Sequence, residues 1–152
     1  RRVDIGFLSH QEGHHYQFLP VMDDELFAVL PKGHPLEEYD AIPMKKFSGA
    51  PFVTTEYAPG SDIYRILKEF QLKPDIRFLS INEFSVLSMV EHGLGITILP
   101  GLLLRGHSGN FVKRRLEPRS FRRLGLGYSS YDDLSPASRI FLEYAKSFLL
   151  DD

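Results

Sequence analysis

The 152 residues predict an α/β fold. Two observations carry the prediction. Between residues 51 and 99, short β-branched and aromatic runs alternate with segments of helical periodicity, in the order strand, helix, strand, helix, strand. That order belongs to a mostly parallel sheet layered with helices. Hydrophobic residues make up 43% and charged residues 25%, enough to build a core and too apolar for a disordered chain.

The elements follow in chain order. Val3-Asp4-Ile5-Gly6-Phe7-Leu8 reads as a strand, and a polar loop runs from Ser9 to Gln17. Glu25 to Leu30 reads as a second strand, closed by Pro31-Lys32-Gly33-His34-Pro35, where Pro and Gly stop a ladder. A short helical turn is expected over 41–48 and a strand over 51–55. After the turn Tyr57-Ala58-Pro59-Gly60-Ser61-Asp62, Ile63, Ile66, Leu67 and Phe70 repeat at i, i+3, i+4 and i+7, one apolar face of a helix. Ile76 to Ile81 is a strand. Asn82 caps the next helix, with Glu83 at its positive end. Phe84, Val86, Leu87, Met89 and Val90 make that helix apolar on most sides, which predicts burial. Ile96 to Leu99 is a strand, 101–105 a short helix, and 111–116 and 124–129 are extended. Ser135-Pro136 opens a last helix, Ser as cap and Pro at the first position, with Ile140, Phe141, Tyr144 and Phe148 as its apolar face.

Gly93, Gly95 and Pro100 punctuate the stretch SMVEHGLGITILPGLLL. Gly93 suits the positive φ at a helix end, Gly95 a close turn against the sheet, and Pro100 the end of a strand. A dinucleotide fingerprint needs strand, glycines, then helix, with a third glycine; here the order is reversed. Gly125-Leu126-Gly127 lies inside a strand pattern and is no better a match.

Bulk properties narrow the function. A net charge of −2 does not favour nucleic-acid binding by this segment. With no cysteine there is no disulfide framework, thiol redox sensor or cysteine-ligated zinc. No apolar run approaches the roughly 20 residues of a membrane helix. No signal peptide opens the chain, so a cytoplasmic protein without membrane association is the expectation. Arg1-Arg2 running straight into a strand is the beginning expected of a fragment.

The stretch around Gly93 resembles the effector-binding domain of LysR-type transcriptional regulators, where a buried helix is followed by Gly-Leu-Gly-Ile, an apolar strand and Leu-Pro. Val3-Asp4-Ile5-Gly6-Phe7 is similar to the family's third strand. Residues 24–31 with His34-Pro35-Leu36 are similar to its crossover strand and loop, and Leu134-Ser135-Pro136-Ala137 to the start of its last helix. Four motifs in order span essentially the whole chain. The resemblance implies a two-lobed domain of the type 2 periplasmic-binding-protein kind. Residues 24–129 would form a complete second lobe; 1–23 and 130–152 would be the remnant of the first. It implies no cofactor, a small effector bound between the lobes, a homo-oligomer, and DNA contacts only through an N-terminal domain absent from these residues.

Candidate ligand residues lie where open α/β sheets bind ligands, beyond the carboxyl ends of strands and at helix N-termini. They are Thr54 and Thr55, Ser61, Asn82, and Ser9 with His10. Hydroxyls, an amide and free helix N–H groups suit a carboxylate or another small polar or anionic group. The plain alternative is that Ser61 and Asn82 only cap helices and the threonines only finish a strand. Of Thr54 and Thr55, one should face the ligand, because strand side chains alternate. His10-Gln11-Glu12-Gly13-His14-His15 lacks metalloprotease spacing and reads as a solvated loop. Residues 113–123, with six basic side chains in eleven, read as a solvated hairpin around Pro118 rather than a nucleic-acid patch. No nucleophile elbow is present, and Glu56 beside Thr55 has no paired histidine, so no catalytic residue is assigned. A ligand sensor is therefore expected. A two-lobed solute-binding protein for uptake is the alternative, ahead of a hydrolase or transferase.

Overall fold

The computed structural model describes residues 3–11, 13, 15–55 and 59–150. The strands are β1 (Ile5–Ser9), β2 (Gln17–Pro31), β3 (Ala41–Pro43), β4 (Pro51–Thr55), β5 (Asp75–Ser80), β6 (Thr97–Pro100) and β7 (Phe111–Tyr128). The helices are α1 (Asp62–Glu69), α2 (Glu83–Glu91), α3 (Gly101–Leu104) and α4 (Pro136–Leu150), with two 3-10 turns at Pro35–Glu38 and Met44–Phe47. The expected helical turn over 41–48 is thus a three-residue strand followed by a 3-10 turn. The chain forms two compact units, Arg1–Asp23 with Arg122–Asp152, and Asp24–Phe121. Strands β2 and β7 each run through both.

In the second unit β4, β5 and β6 run parallel. Pro51 to Thr55 pair with Asp75 to Ser80, and Phe52 bridges Ile96. β6 also pairs antiparallel with β2, Leu26 opposite Pro100, and β3 pairs parallel with β7. Alternation along β6 divides the core. Ile96 and Ile98 pack with Leu26, Ala28, Phe47, Phe52 and α1 residues Ile66 and Leu67, while Leu99 joins Val29, Val53 and α2 residues Val86, Leu87 and Val90. The predicted apolar face of α1 is the one that packs. α2 buries only Val86, Leu87 and Val90; Phe84 is exposed against expectation, because the helix is covered on one side alone.

The two glycines behave as their order predicts. α2 ends in a Schellman motif: the N–H of Gly93, at φ 75°, donates to Val90 O at 2.9 Å and that of Leu94 to Met89 O at 3.0 Å. A Cβ on Gly95 would lie 2.8 Å from the Pro51 carbonyl oxygen, so only glycine lets β6 enter against β4. α3 has no capping side chain of its own. Asp24, buried on β2, supplies one: its Oδ1 accepts from Leu102 N at 2.9 Å.

The expected hairpin at 113–123 is not formed. Residues 111–128 are one strand, hydrogen-bonded beside β2. Acidic side chains on β2 meet the basic ones on β7: Arg119 grips Glu25 through Nε at 2.8 Å and Nη2 at 2.9 Å, and Arg123 Nε lies 3.0 Å from Asp23. The Arg119 hydrogen bond holds the Glu25 carboxyl below its ordinary range. These cross-strand pairs, with Leu116 and Ser120 buried on the opposite face, favour a continuous strand over a turn at Pro118.

In the first unit β1 pairs antiparallel with the end of β7, Ile5 opposite Tyr128 and Ser9 opposite Leu124. That pairing places 122–129 in the first unit by contact. Leu126, Leu134 and Leu142 form its core, with Ile5, Leu19, Val21, Tyr128 and Ala145 around them. Ser135 caps α4: its Oγ accepts from Ser138 N at 3.3 Å, and Asp4 Oδ2 accepts from Ser135 N at 3.1 Å and Ser138 Oγ at 3.0 Å. The start of the helix is as read, but its orientation is the reverse. Leu142 and Ala145 face the core, and Ile140, Phe141, Tyr144 and Phe148 are exposed. Leu142 lies one turn beyond Ser138, on the same side of the helix.

Candidate functional site

The parallel strands of the second unit deliver four of the candidate residues to one end. Thr55 pairs with Ser80, so both strands stop level, and Asn82 follows two residues later. Phe52, Val53 and Thr54 are all buried and Thr55, at the strand end, is half-buried, so Thr55 is the residue of the pair nearer the surface.

Ser61 and Asn82 are both helix caps. Ser61 Oγ accepts from Tyr64 N at 3.2 Å, and Asn82 Oδ1 accepts from Ser85 N at 2.9 Å. Capping consumes acceptors only. The Ser61 hydroxyl retains its proton, and the Asn82 amide retains two N–H donors. Each sits at a positive helix end, where Asp62 and Glu83 already exploit the dipole. Capping and anion binding are therefore compatible roles for one residue. Sequence reasoning missed Ser80: it closes β5 beside Thr55, and its Oγ accepts from Asn82 N at 3.5 Å. Its place at the end of an apolar run was the available signal.

Ser9 and His10 lie in the first unit. Ser9 ends β1 and pairs with Leu124; His10 N donates to Arg123 O at 2.7 Å. The His10 ring stands edge-on to Phe18 at 4.6 Å and to Tyr16 at 6.2 Å, and the Tyr16 hydroxyl accepts from Gln11 N at 3.0 Å. Tyr16 and Phe18 had not been singled out; they share one face of the chain entering β2. Glu12 and His14 of the histidine-rich loop, and Glu56, lie outside the described residues. An open groove of about 800 Å³ lies elsewhere in the first unit, lined by Val3, Phe7, Leu126 and Phe141 among others, and contains none of the six candidates.

Comparison with known proteins agrees with this architecture. The family model "LysR substrate binding domain" matches residues 1–149. The uncharacterized HTH-type transcriptional regulator YvbU of Bacillus subtilis is 28% identical over 151 residues, 96% of this chain and 50% of that protein. The Hca operon transcriptional activator HcaR of Escherichia coli is 27% identical over 117 residues, 74% of this chain and 40% of that protein. The chain thus spans about half the length, or less, of the curated relatives it matches. Among solved structures, the regulatory domain of Synechocystis PCC6803 CcmR in complex with 2-PG superimposes with a TM-score of 0.83 at 18% identity, over 97% of this chain and 74% of that one. The effector-binding domain of QuiR in complex with shikimate gives 0.83 at 24% identity, over 97% and 72%. Those structures share the two-lobed effector-domain fold. On the family match across nearly its whole length, the chain belongs to the LysR family, as a substrate-binding domain.

Proposed function

We propose that the chain is the ligand-sensing part of a LysR-type transcriptional regulator. In this reading a small polar or anionic effector binds at the carboxyl ends of β4 and β5, held by Thr55, Ser61 and Asn82, with Thr54 as the buried support. Ser9 and His10 are proposed as further effector contacts. The observation that supports the reading is that Thr55 ends one of two paired parallel strands and that Ser61 and Asn82 open the two helices that follow them, each capping its helix through an acceptor and so keeping its donors uncommitted by the cap. Effector binding would act by favouring one arrangement of a homo-oligomer over another, which requires different affinity for the two. DNA contacts would belong to residues outside these 152, and the setting would be the cytoplasm. Among the described residues no helix is long and apolar enough to cross a membrane. Membership in a family of regulators favours this reading over a solute-binding protein for uptake, and over an enzyme.

The test is a thermal-shift screen of small carboxylates, shikimate included, followed by calorimetry on Thr55→Val. Thr55 caps no helix, so the substitution removes a hydroxyl and little else. At least one carboxylate should raise Tm, and the variant should bind it about tenfold more weakly, the worth of one hydrogen bond to a charged group. Unchanged affinity in Thr55→Val and in Ser61→Gly together would remove this end of the sheet as the effector site.

A further inference from the structure

Arg65 carries a positive charge to the end of the second unit's sheet at which the effector is read to bind. Phe52 bridges Ile96 in parallel, so Thr55 stands level with Leu99, and Leu99 pairs with Phe27 on β2. Glu25, two residues before Phe27, therefore lies past the carboxyl ends of β4 and β6. Arg119 grips Glu25, which brings Phe121, two residues further along β7, to that same end. α1 packs over β2 and β6 through Ile66 and Leu67, in one cluster with Leu26 and Ile98. From α1 the Arg65 guanidinium reaches this end: Nη2 donates to Phe121 O at 2.8 Å, and Nη1 lies 3.3 Å from Glu69 Oε2. Arg65 sits one turn beyond the Ser61 cap, its backbone N–H donating to Ser61 O at 3.0 Å.

We propose that Arg65 reads the charge of the effector, and that the effector is an oxyanion, a carboxylate or a phosphate, rather than a neutral polar molecule. The inference rests on the effector reading above and narrows it. Three observations support it. First, the side chains assigned to the end of β4 and β5, Thr55, Ser61 and Asn82, are neutral, while Asp62 and Glu83 open the two helices with negative charge. An anion bound there needs a compensating cation, and Arg65 is one helical turn away. Second, the Phe121 carbonyl holds the guanidinium without neutralising it, and a planar fork fixed at one edge presents its other donors in a set direction. The bonds to Phe121 and Glu69 take two of its five N–H groups, leaving three without a partner among the described residues. Third, the pair with Glu69 is open to water, the two side chains being 40% and 53% exposed. Such a pair is weak, so a ligand oxyanion can take the place of Glu69.

The experiment is a thermal-shift titration of the 152-residue chain with sodium phosphate, sodium acetate and acetamide, at neutral pH and constant ionic strength. Phosphate and acetate should raise Tm along saturating curves, and acetamide, the neutral counterpart of acetate, should not. Arg65→Gln should raise the half-saturating phosphate concentration about tenfold or more, the loss of a hydrogen bond between charged groups. Arg65→Lys, which keeps the charge without the fork, should fall between Arg65→Gln and the parent chain. Glu69→Gln removes the competing carboxylate and should lower that concentration about threefold, whereas a guanidinium that only ties α1 to β7 would gain nothing from the change. Circular dichroism confirms that each variant is folded. No saturable response to either anion, or equal responses to acetate and acetamide, would overturn the proposal. So would unchanged phosphate affinity in Arg65→Gln, weaker binding in Glu69→Gln, or an Arg65→Lys variant no better than Arg65→Gln. If Thr55→Val weakens phosphate binding and Arg65→Gln does not, the effector reading stands and Arg65 has no part in it. If Arg65→Gln weakens it while Thr55→Val and Ser61→Gly do not, the anion binds away from the ends of β4 and β5, and the effector reading fails together with the proposal.

Discussion

Substituting Gly95 by alanine tests the closest approach in the second unit. The new Cβ would lie 2.8 Å from Pro51 O, 3.1 Å from Pro51 C and 3.2 Å from Val53 Cγ1. Backbone atoms cannot rotate away, so β4 and β6 must separate by several tenths of an ångström. Pro51 O accepts from Ile96 N at 2.9 Å and Val53 N donates to Ile96 O at 3.0 Å, so the separation stretches both bonds toward the limit of useful geometry. Overpacking costs about 1–3 kcal/mol and weakened ladder bonds about 1 more, against roughly 0.4–1 regained from a stiffer unfolded chain. The net loss should be about 2–3 kcal/mol. Gly93→Ala is the control: φ is 75° and nothing lies within 4 Å of its Cβ, so only the left-handed backbone penalty applies. That is about 1–2 kcal/mol before the same gain, leaving about 1. Urea unfolding followed by circular dichroism reads both. With a slope of about 1–3 kcal/mol/M, Gly95→Ala should lower the midpoint by about 1 M, and Gly93→Ala by less than half as much. If Gly95→Ala costs less than Gly93→Ala, the close-approach argument is wrong.

Other substitutions probe buried polar groups. Asp24→Ala removes the acceptor for Leu102 N and should cost about 1–2 kcal/mol in the same assay, with Asp24→Asn recovering most of it. Thr97 Oγ1 is fully buried with no hydrogen-bond partner among the described residues; Thr97→Val should stabilise by about 1 kcal/mol, and a loss would reveal an unseen partner. His34 predicts a pH dependence. Burial lowers its pKa from the ordinary 6.5, and its Nδ1 accepts from Leu36 N at 3.1 Å, which only the neutral ring can do. The unfolded chain therefore binds the proton more readily. Stability from this group is complete above pH 6.5 and falls as pH drops from there through the lower folded value. His34→Asn keeps a capping acceptor that does not titrate, so its Tm should fall less between pH 7 and 5 than that of the parent chain; parallel profiles would exclude His34 as the source.

Much of this protein was legible in local pattern. The β4-α1-β5-α2-β6 order, the caps at Ser61, Asn82 and Ser135, and the geometry of Gly93 depend on neighbours within a few residues, and short-range rules predict each. The placement of Thr55 at a strand end and of Ser61 and Asn82 at helix starts was legible to the same extent, because those are local events. Tertiary structure decided what distant partners control. Residues 113–123 became strand rather than turn because Glu25 and Asp23, about a hundred positions away, lie opposite Arg119 and Arg123. Thr54 is buried and Thr55 only half-buried because β4 is covered on both faces through Thr54 and Thr55 stands at its end. Hydrophobic periodicity marked an apolar stripe on α4, yet periodicity measures composition around a helix and not which face finds a partner. Within these residues Leu142 and Ala145 found partners in the first unit's core, while Asp4, more than 130 positions away in sequence, accepts hydrogen bonds from Ser135 and Ser138 at the helix start.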